Sequence, residues 1–196
     1  MEYNYGHFNE DGTEFVITDP RTPRAFDNFI WNEAVFSNVQ HTGVGYCDYQ
    51  VGTNEAVQLL TGVGRICDFD VYGRDHLMSR LIYIRDNETG EFWNVNWEPV
   101  QKPYDRFECV HGLGYTILNT SVNGINAGFR IFVPMGKDPV ELWTLRVADA
   151  SGKKRDLSIF VYNQFQIKYK WGFDSYGDKI YRGAWFNREM NAAVAC

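Results

Sequence analysis

An excess of positive charge is missing from this chain. Its 196 residues include 19 Lys and Arg against 25 Asp and Glu, so the formal net charge is −6. Nucleic-acid binding depends on concentrated positive charge that neutralises phosphates. The composition therefore argues against a nucleic-acid partner.

Long apolar segments are also missing. No stretch approaches the roughly 18 consecutive apolar residues that a membrane span requires. The first residues, MEYNYGH, lack the basic region and apolar run of a secretory signal. We therefore expect a cytoplasmic protein that does not enter a membrane. Because 44% of the residues are hydrophobic, the chain can bury a sizeable core as one domain.

Cysteine is sparse and lacks the spacing of a metal site. The four residues Cys47, Cys67, Cys109 and Cys196 form no C-x-x-C pair, so we expect free thiols and no zinc. Cys109 has His111 two residues on. On a strand-like run this pair is typical of two packing residues more than of a nucleophile and its base.

Alternating apolar residues are the main secondary-structure signal. In residues 125–133 the apolar side chains fall on every second position, and residues 143–147 and 157–161 repeat the pattern. Asn123-Gly124 and similar pairs punctuate the runs as turns. Residues 54–60 fit a helical turn or another strand equally well. The pattern predicts an all-β fold: a large antiparallel two-sheet β-sandwich with little helix. Nothing in the sequence marks an internal domain boundary.

An aromatic segment, FWNVNWEP at residues 92–99, offers a possible ligand surface. Trp93 and Trp97 share one face of an extended chain, and Asn94, Asn96 and Glu98 share the other. The segment is either a buried strand or a flat ledge that faces a sugar.

Acidic residues supply no clear catalytic pair. A glycosidase pair is defined by the separation of its two carboxyl groups in space, which β-strand sequence does not give. We expect the candidates to be solvated or paired with Arg65, Arg74, Arg80 and Arg85. The candidates are Asp68, Asp70, Asp75, Glu98 and Glu108.

Ordered blocks along most of the chain resemble one known family. The first blocks are YGHF at 5–8, EFVITDPRTPR at 14–24 and HTGVGY at 41–46. YIRD at 83–86, EFW at 91–93 and WEPV at 97–100 follow. The last are FECVHGLGYT at 107–116, FVP at 132–134 and PVELW at 139–143. Together they resemble the N-terminal part of glycoside hydrolase family 94, the cellobiose and laminaribiose phosphorylase group.

This resemblance implies a domain role and a reaction. Residues 1–196 would form the N-terminal β-sandwich domain, a supersandwich similar to galactose mutarotase, of a longer homodimeric enzyme. The catalytic acid and the phosphate site would lie in an (α/α)6 barrel absent from this chain, leaving the fragment inactive alone. The parent enzyme would be a glycosyltransferase, a hexosyltransferase that splits a β-linked glucose disaccharide or oligosaccharide with inorganic phosphate, inverting, to give α-glucose 1-phosphate. No cofactor or metal is implied, since phosphate is a co-substrate.

The resemblance also implies a substrate contact within IYRGAWF at residues 180–186. The family has an aromatic-rich segment here whose arginine reaches the sugar, which makes Arg182 the candidate ligand, with Tyr181 and Trp185 beside it. The alternative is a strand-edge arginine packed over Trp185. Residues 43–49 and 61–70 depart from the cellobiose enzymes, which favours another substrate such as laminaribiose. Two other readings remain: a stand-alone carbohydrate-binding module and a purely structural dimerisation domain.

Overall fold

Every regular element that the computed structural model describes is a β-strand. The model describes residues 5–52, 55–60, 79–169 and 183–195. The strands in these ranges are β1 Gly6–Phe8, β2 Glu14–Ile17, β3 Asp27–Trp31, β4 Val35–Gln40, β5 Cys47–Gly52, β6 Glu55–Leu60, β7 Leu81–Asp86, β8 Phe92–Asn94, β9 Arg106–Gly112, β10 Tyr115–Val122, β11 Ile125–Phe132, β12 Leu142–Asp149, β13 Leu157–Tyr162, β14 Phe165–Tyr169, β15 Ala184–Asn187 and β16 Ala192–Ala195. The predicted all-β class is confirmed, and the ambiguous residues 54–60 contain a strand, β6.

The largest sheet is antiparallel and six-stranded, in the order β1-β2-β9-β10-β11-β12. Its last four strands follow one another in sequence as a meander. β10 and β11 meet at Asn123-Gly124, where both residues have positive φ, +52° and +77°. This is the two-residue turn whose twist matches that of the flanking strands. It places Val122 opposite Ile125 and fixes the register of the hairpin.

The other described strands form three smaller antiparallel sheets. Their orders are β14-β6-β5-β4-β3, β13-β7-β8 and β15-β16. One apolar cluster joins the three larger sheets: it contains Ile17, Leu118 and Phe129 of the first, with Val39 of β4 and Ile84 of β7. The described strands thus divide into more hydrogen-bonded sheets than the two predicted, yet they share a single core.

Burial follows the predicted alternation in β11 but not in β13. Ile125, Phe129 and Ile131 are fully buried, whereas Ile159 and Val161 on β13 are 47% and 57% exposed. β13 pairs with β7 along one edge, and its middle residues are exposed on both faces. The alternation of apolar residues therefore predicted the strand β13 correctly, but it did not reveal that both faces of this strand are exposed to solvent.

A close approach of two backbone segments accounts for Gly45. Its φ is +135°, and a Cβ atom there would lie 2.1 Å from the backbone oxygen of Asn38. Any other residue would clash with β4. The block HTGVGY is thereby held tightly against that strand. Within the described ranges, no helix is long and apolar enough to cross a membrane.

Candidate functional site

The segment predicted to contact sugar leads into a hairpin at the protein surface. Tyr181 and Arg182 lie outside the described residues, so their placement is not part of this structure. Trp185 lies on β15, opposite Val194 of β16. Its side chain is 51% exposed, and that of Phe186 is similarly exposed. Because neighbouring strand residues point to opposite faces, the hairpin presents an aromatic ring on each side.

The aromatic segment at residues 92–99 is buried from Trp93 to Glu98, and Phe92 is exposed. Trp93 is 1% exposed and Trp97 is 9% exposed, so no flat tryptophan ledge faces the solvent. Asn96 is buried as well: its Oδ1 accepts the Ile82 N–H at 2.8 Å, and its Nδ2 donates to the Thr42 carbonyl at 3.1 Å. The two tryptophans are therefore buried, as the first alternative predicted, but only Phe92–Asn94 forms a strand (β8), and Trp97 has a φ of +66° and does not continue it. The amides on the second face bind backbone groups of the protein itself.

Cys109 and His111 are packing residues, as predicted. The Cys109 sulfur is 3.9 Å from His111 Nδ1, but the thiol is fully buried, and burial raises its pKa well above the usual value. His111 Nε2 lies 3.1 Å from the Phe26 carbonyl, and Nδ1 lies 2.9 Å from Thr116 Oγ1. Burial lowers the pKa of His111 to about 4. A protonated thiol without access to solvent does not serve as a nucleophile.

The two predicted acidic candidates that the structure describes are engaged or buried. Glu108 accepts hydrogen bonds from Arg106 at 2.9 Å and from Asn119 at 3.0 Å. Glu98 is buried beside the aromatic segment. The remaining candidates, Asp68, Asp70 and Asp75, lie outside the described residues. In the described part of the chain, no group of three or more His, Cys, Asp or Glu residues is arranged to hold a metal ion.

A buried ion pair, which the sequence did not reveal, joins the three larger sheets. Arg80 precedes β7, and its side chain is 0% exposed; Glu141 precedes β12, and its side chain is 5% exposed. Arg80 Nε donates to Glu141 Oε1 at 2.7 Å, and Nη2 lies 2.8 Å from Oε2. This two-point geometry is the strong form of an arginine–carboxylate contact.

Further hydrogen bonds extend this ion pair into β4 and the loop before β5. Arg80 Nη1 donates to the Asn38 carbonyl at 3.1 Å, and Nη2 lies 2.8 Å from Ser37 Oγ and 3.0 Å from the Tyr46 carbonyl. Ser37 Oγ also donates to Glu141, whose Oε1 accepts the Trp143 indole N–H at 2.6 Å. The network is internal to the protein, so we assign it to stability.

Comparison with known proteins identifies the family. Residues 13–171 match the family model described as "Glycosyl hydrolase 94, supersandwich domain". The chain belongs to glycoside hydrolase family 94. The predicted supersandwich fold is therefore confirmed, as is the resemblance read from the sequence blocks.

Curated relatives of this family 94 chain are phosphorylases by name. Solabiose phosphorylase of Paenibacillus borealis is 39% identical over 180 residues, covering 90% of this chain and 22% of the relative. N,N'-diacetylchitobiose phosphorylase of Vibrio furnissii is 32% identical over 167 residues, covering 84% and 20%. A 3-O-beta-D-glucopyranosyl-beta-D-glucuronide phosphorylase of Paenibacillus borealis is 30% identical over 156 residues, covering 80% and 18%. The chain thus spans about a fifth of the length of these relatives.

Two of the blocks that resemble family 94 contribute residues to the network around the buried ion pair. Glu141 and Trp143 belong to the block PVELW, and Tyr46 ends the block HTGVGY. In the fold these two blocks meet at the Arg80 guanidinium. The predicted sugar-contacting residues Tyr181, Arg182 and Trp185, by contrast, follow the matched range, which ends at residue 171.

Proposed function

We propose that residues 1–196 form the N-terminal β-sandwich domain of an inverting β-glucoside phosphorylase. The observation that carries the proposal is the supersandwich match over residues 13–171, together with relatives that are phosphorylases by name and of whose length the aligned part of this chain covers 20–22%. The catalytic (α/α)6 barrel then lies in polypeptide outside these residues. The enzyme acts in the cytoplasm, without a metal or organic cofactor.

In the proposed reaction, phosphate replaces water as the nucleophile. An aspartic acid of the barrel gives its proton to the glycosidic oxygen as the bond to the anomeric carbon breaks. A phosphate oxygen forms the new bond on the opposite face of the ring. The products are α-glucose 1-phosphate and a sugar one unit shorter. This chain supplies neither the acid nor the phosphate site, and on its own it is inactive.

The role of this chain in the parent enzyme is to support the barrel and the homodimer, and to provide one substrate ligand. Arg182 donates to sugar hydroxyls through its fixed fork of N–H groups. The residues that follow Arg182 support this role, because Trp185 and Phe186 on the next hairpin are exposed and can contact a ligand. Arg182→Ala should raise the KM for the disaccharide about tenfold or more. The exposed Arg146 of β12 gives a matched control, and Arg146→Ala should leave KM unchanged. An unchanged KM in Arg182→Ala would leave the domain a purely structural role.

The substrate is a β-linked disaccharide whose identity the assay must determine. The relatives are named for solabiose, N,N'-diacetylchitobiose and a glucosyl glucuronide, and their identities to this chain are only 30–39%. We therefore propose a panel of solabiose, laminaribiose, cellobiose and N,N'-diacetylchitobiose, each incubated with inorganic phosphate. The sequence departures noted above place laminaribiose ahead of cellobiose.

The decisive experiment compares the product of the complete coding sequence with the 196-residue chain alone. The longer protein should release a sugar 1-phosphate only when phosphate is present, and the shorter chain should release none. Phosphate-dependent cleavage by the shorter chain would contradict the proposal that the catalytic acid and the phosphate site lie outside residues 1–196. Failure of the longer protein on every β-linked disaccharide would reject the phosphorylase assignment.

A further inference from the structure

Strand β13 lies at the edge of its sheet and exposes a continuous apolar run. The side chains of Ile159, Phe160, Val161 and Tyr162 are 47–57% exposed. The strand sequence, LSIFVY, contains no charged residue and no proline. Proteins protect edge strands with such residues or with a covering segment, because a bare apolar edge pairs with other chains. The composition of β13 is therefore that of a strand that is covered in the complete protein.

One face of β13 continues the core of the domain. Ile159 lies opposite Ile84 of β7, and Val161 lies opposite Ile82. Directly opposed residues of an antiparallel pair point to the same face of the sheet. Ile82 and Ile84 belong to the apolar cluster that joins the three larger sheets, and both are at most 3% exposed. The covered core therefore ends between β7 and β13, although the apolar face of the sheet extends one strand further.

The backbone of β13 presents hydrogen-bonding groups along its outer edge. The Asn87 N–H donates to the Asp156 carbonyl at 2.9 Å, and these two residues are the next pair in the β7–β13 register. Hydrogen-bonded and non-hydrogen-bonded pairs alternate along an antiparallel ladder. The N–H and C=O groups of Ile159 and Val161 therefore point away from β7. Among the described strands, none pairs with that edge of β13. An added strand would bind the backbone at the two residues whose side chains lack cover.

A cleft of about 450 Å³ opens at the end of β13. Asn163, which directly follows β13, lines it together with Leu59 of β6, Trp143 of β12 and Phe165 of β14. Its walls are mainly apolar, so it can hold apolar side chains of a covering segment. The surface without cover therefore extends from β13 to the start of β12.

We propose that a β-strand of the parent enzyme, from polypeptide outside residues 1–196, pairs with the free edge of β13 and covers Ile159 and Val161. The proposal rests on the proposed function, because the aligned part of this chain covers only 20–22% of its phosphorylase relatives and the remainder can supply the strand. The strand belongs to the same polypeptide rather than to a second copy, because the face it covers is continuous with the core of this domain. A partner that dissociates would leave this core face open to aggregation.

Alkylation of an introduced cysteine tests the proposal. Val161→Cys is made both in the 196-residue chain and in the product of the complete coding sequence, each at low protein concentration. Site-resolved mass spectrometry follows its reaction with N-ethylmaleimide. In the longer protein this thiol should react at least about tenfold more slowly than in the chain alone, because it is reached only through local unfolding. Leu113→Cys is the matched control: Leu113 is 93% exposed in the β9–β10 turn, and this thiol should react equally fast in both proteins.

Amide hydrogen exchange gives a second measurement, which reports on the pairing itself. The amides of Ile159 and Val161 should exchange more slowly in the longer protein by a similar factor, because an added strand would accept their hydrogen bonds. Slow alkylation at position 161 with fast exchange of these two amides would overturn the strand pairing, since the cover would then be a segment of another kind.

Four results of the alkylation experiment would overturn the proposal. Equal rates at position 161 in the two proteins would mean that the rest of the parent enzyme does not cover β13. Slow alkylation already in the 196-residue chain would mean that this chain covers the strand itself. Alkylation of the longer protein that becomes faster on dilution would identify a second copy as the cover. Equal slowing of Leu113→Cys would mean that the effect is not specific to β13.

The experiment separates this proposal from the phosphorylase assignment. A longer protein that performs phosphorolysis but is alkylated rapidly at position 161 would reject the added strand alone. A longer protein that protects position 161 but cleaves no β-linked disaccharide would reject the phosphorylase assignment alone.

Discussion

Replacing Arg80 with methionine removes the centre of the buried network and keeps most of the side-chain volume. The change takes away both contacts to Glu141 and the donors to the Asn38 and Tyr46 carbonyls. Glu141 would remain buried, with hydrogen bonds from the Ser37 hydroxyl and the Trp143 indole N–H in place of its cation. The variant therefore leaves a carboxylate inside the protein without its cation.

The expected cost is large relative to the stability of a domain. Removing one partner of a buried ion pair costs about 3–5 kcal/mol, because the other charge is left uncompensated. The total free energy of unfolding of a domain is about 5–15 kcal/mol. For a chain of this size, each 1 kcal/mol lowers Tm by about 2–4 °C, so we expect a fall of about 6–20 °C.

Urea unfolding followed by circular dichroism measures this cost. Arg146→Met, on the exposed face of β12, is the matched control and should change the free energy of unfolding by less than about 0.5 kcal/mol. The double variant Arg80→Met/Glu141→Leu should be less destabilised than the sum of its single variants, by about 1–3 kcal/mol. A cost below about 1 kcal/mol for Arg80→Met, with an unchanged m-value, would refute the claim that this pair holds the sheets together.

Three other features give sharp tests. Burial lowers the pKa of His111 to about 4, so between pH 6.5 and 4 this histidine is protonated in the unfolded chain but neutral in the folded chain. The free energy of unfolding should therefore fall by about 3 kcal/mol as the pH is lowered over that range. In His111→Gln, the midpoint of urea unfolding should depend less on pH. Burial raises the pKa of Cys47 to about 12 and raises that of Cys109 well above its usual value, so site-resolved mass spectrometry should find neither thiol alkylated by iodoacetamide at pH 8 until the chain is unfolded. Gly45→Ala should cost more than about 2 kcal/mol by urea unfolding, whereas Gly90→Ala, with positive φ but open space, should cost about 1 kcal/mol. A urea midpoint that does not change with pH would contradict the histidine prediction, and fast alkylation of either folded thiol would contradict the cysteine prediction. Equal losses of stability in Gly45→Ala and Gly90→Ala would contradict the glycine prediction.

The all-β fold was predictable because period-two alternation and turn pairs are local signals. The Asn123-Gly124 turn fixes β10 against β11, and the alternation from Ile125 onward gives the buried face. Exposure of β13 was not predictable, because it depends on which sheets lie above and below the strand. The same patterning of apolar residues serves a covered strand and an uncovered one.

Features of the candidate site could be predicted from the sequence only where they depend on a single residue or on a short block that resembles the family. The prediction that Trp93 is buried proved correct, because its side chain is 1% exposed. The hydrogen bonds of Asn96 to backbone groups of Ile82 and Thr42 join distant segments, which the sequence pattern does not reveal. The contact between Arg80 and Glu141 joins residues far apart in the sequence, and no spacing rule relates them. The roles proposed for Arg182 and Tyr181 remain predictions.

The strand order has a consequence for how the chain assembles. Strands β9, β10 and β11 are joined by two-residue turns, and nine residues connect β11 to β12, so the pairing of these four strands closes small loops. β2 must instead bring Glu14 to Gly112, and β13 must bring Leu157 back to Asp86. Distant pairings of this kind slow folding, because the chain loses entropy before the contacts are made. We therefore expect amide protons of the meander to gain protection from exchange first in a refolding experiment, with the strands that flank it docking afterwards.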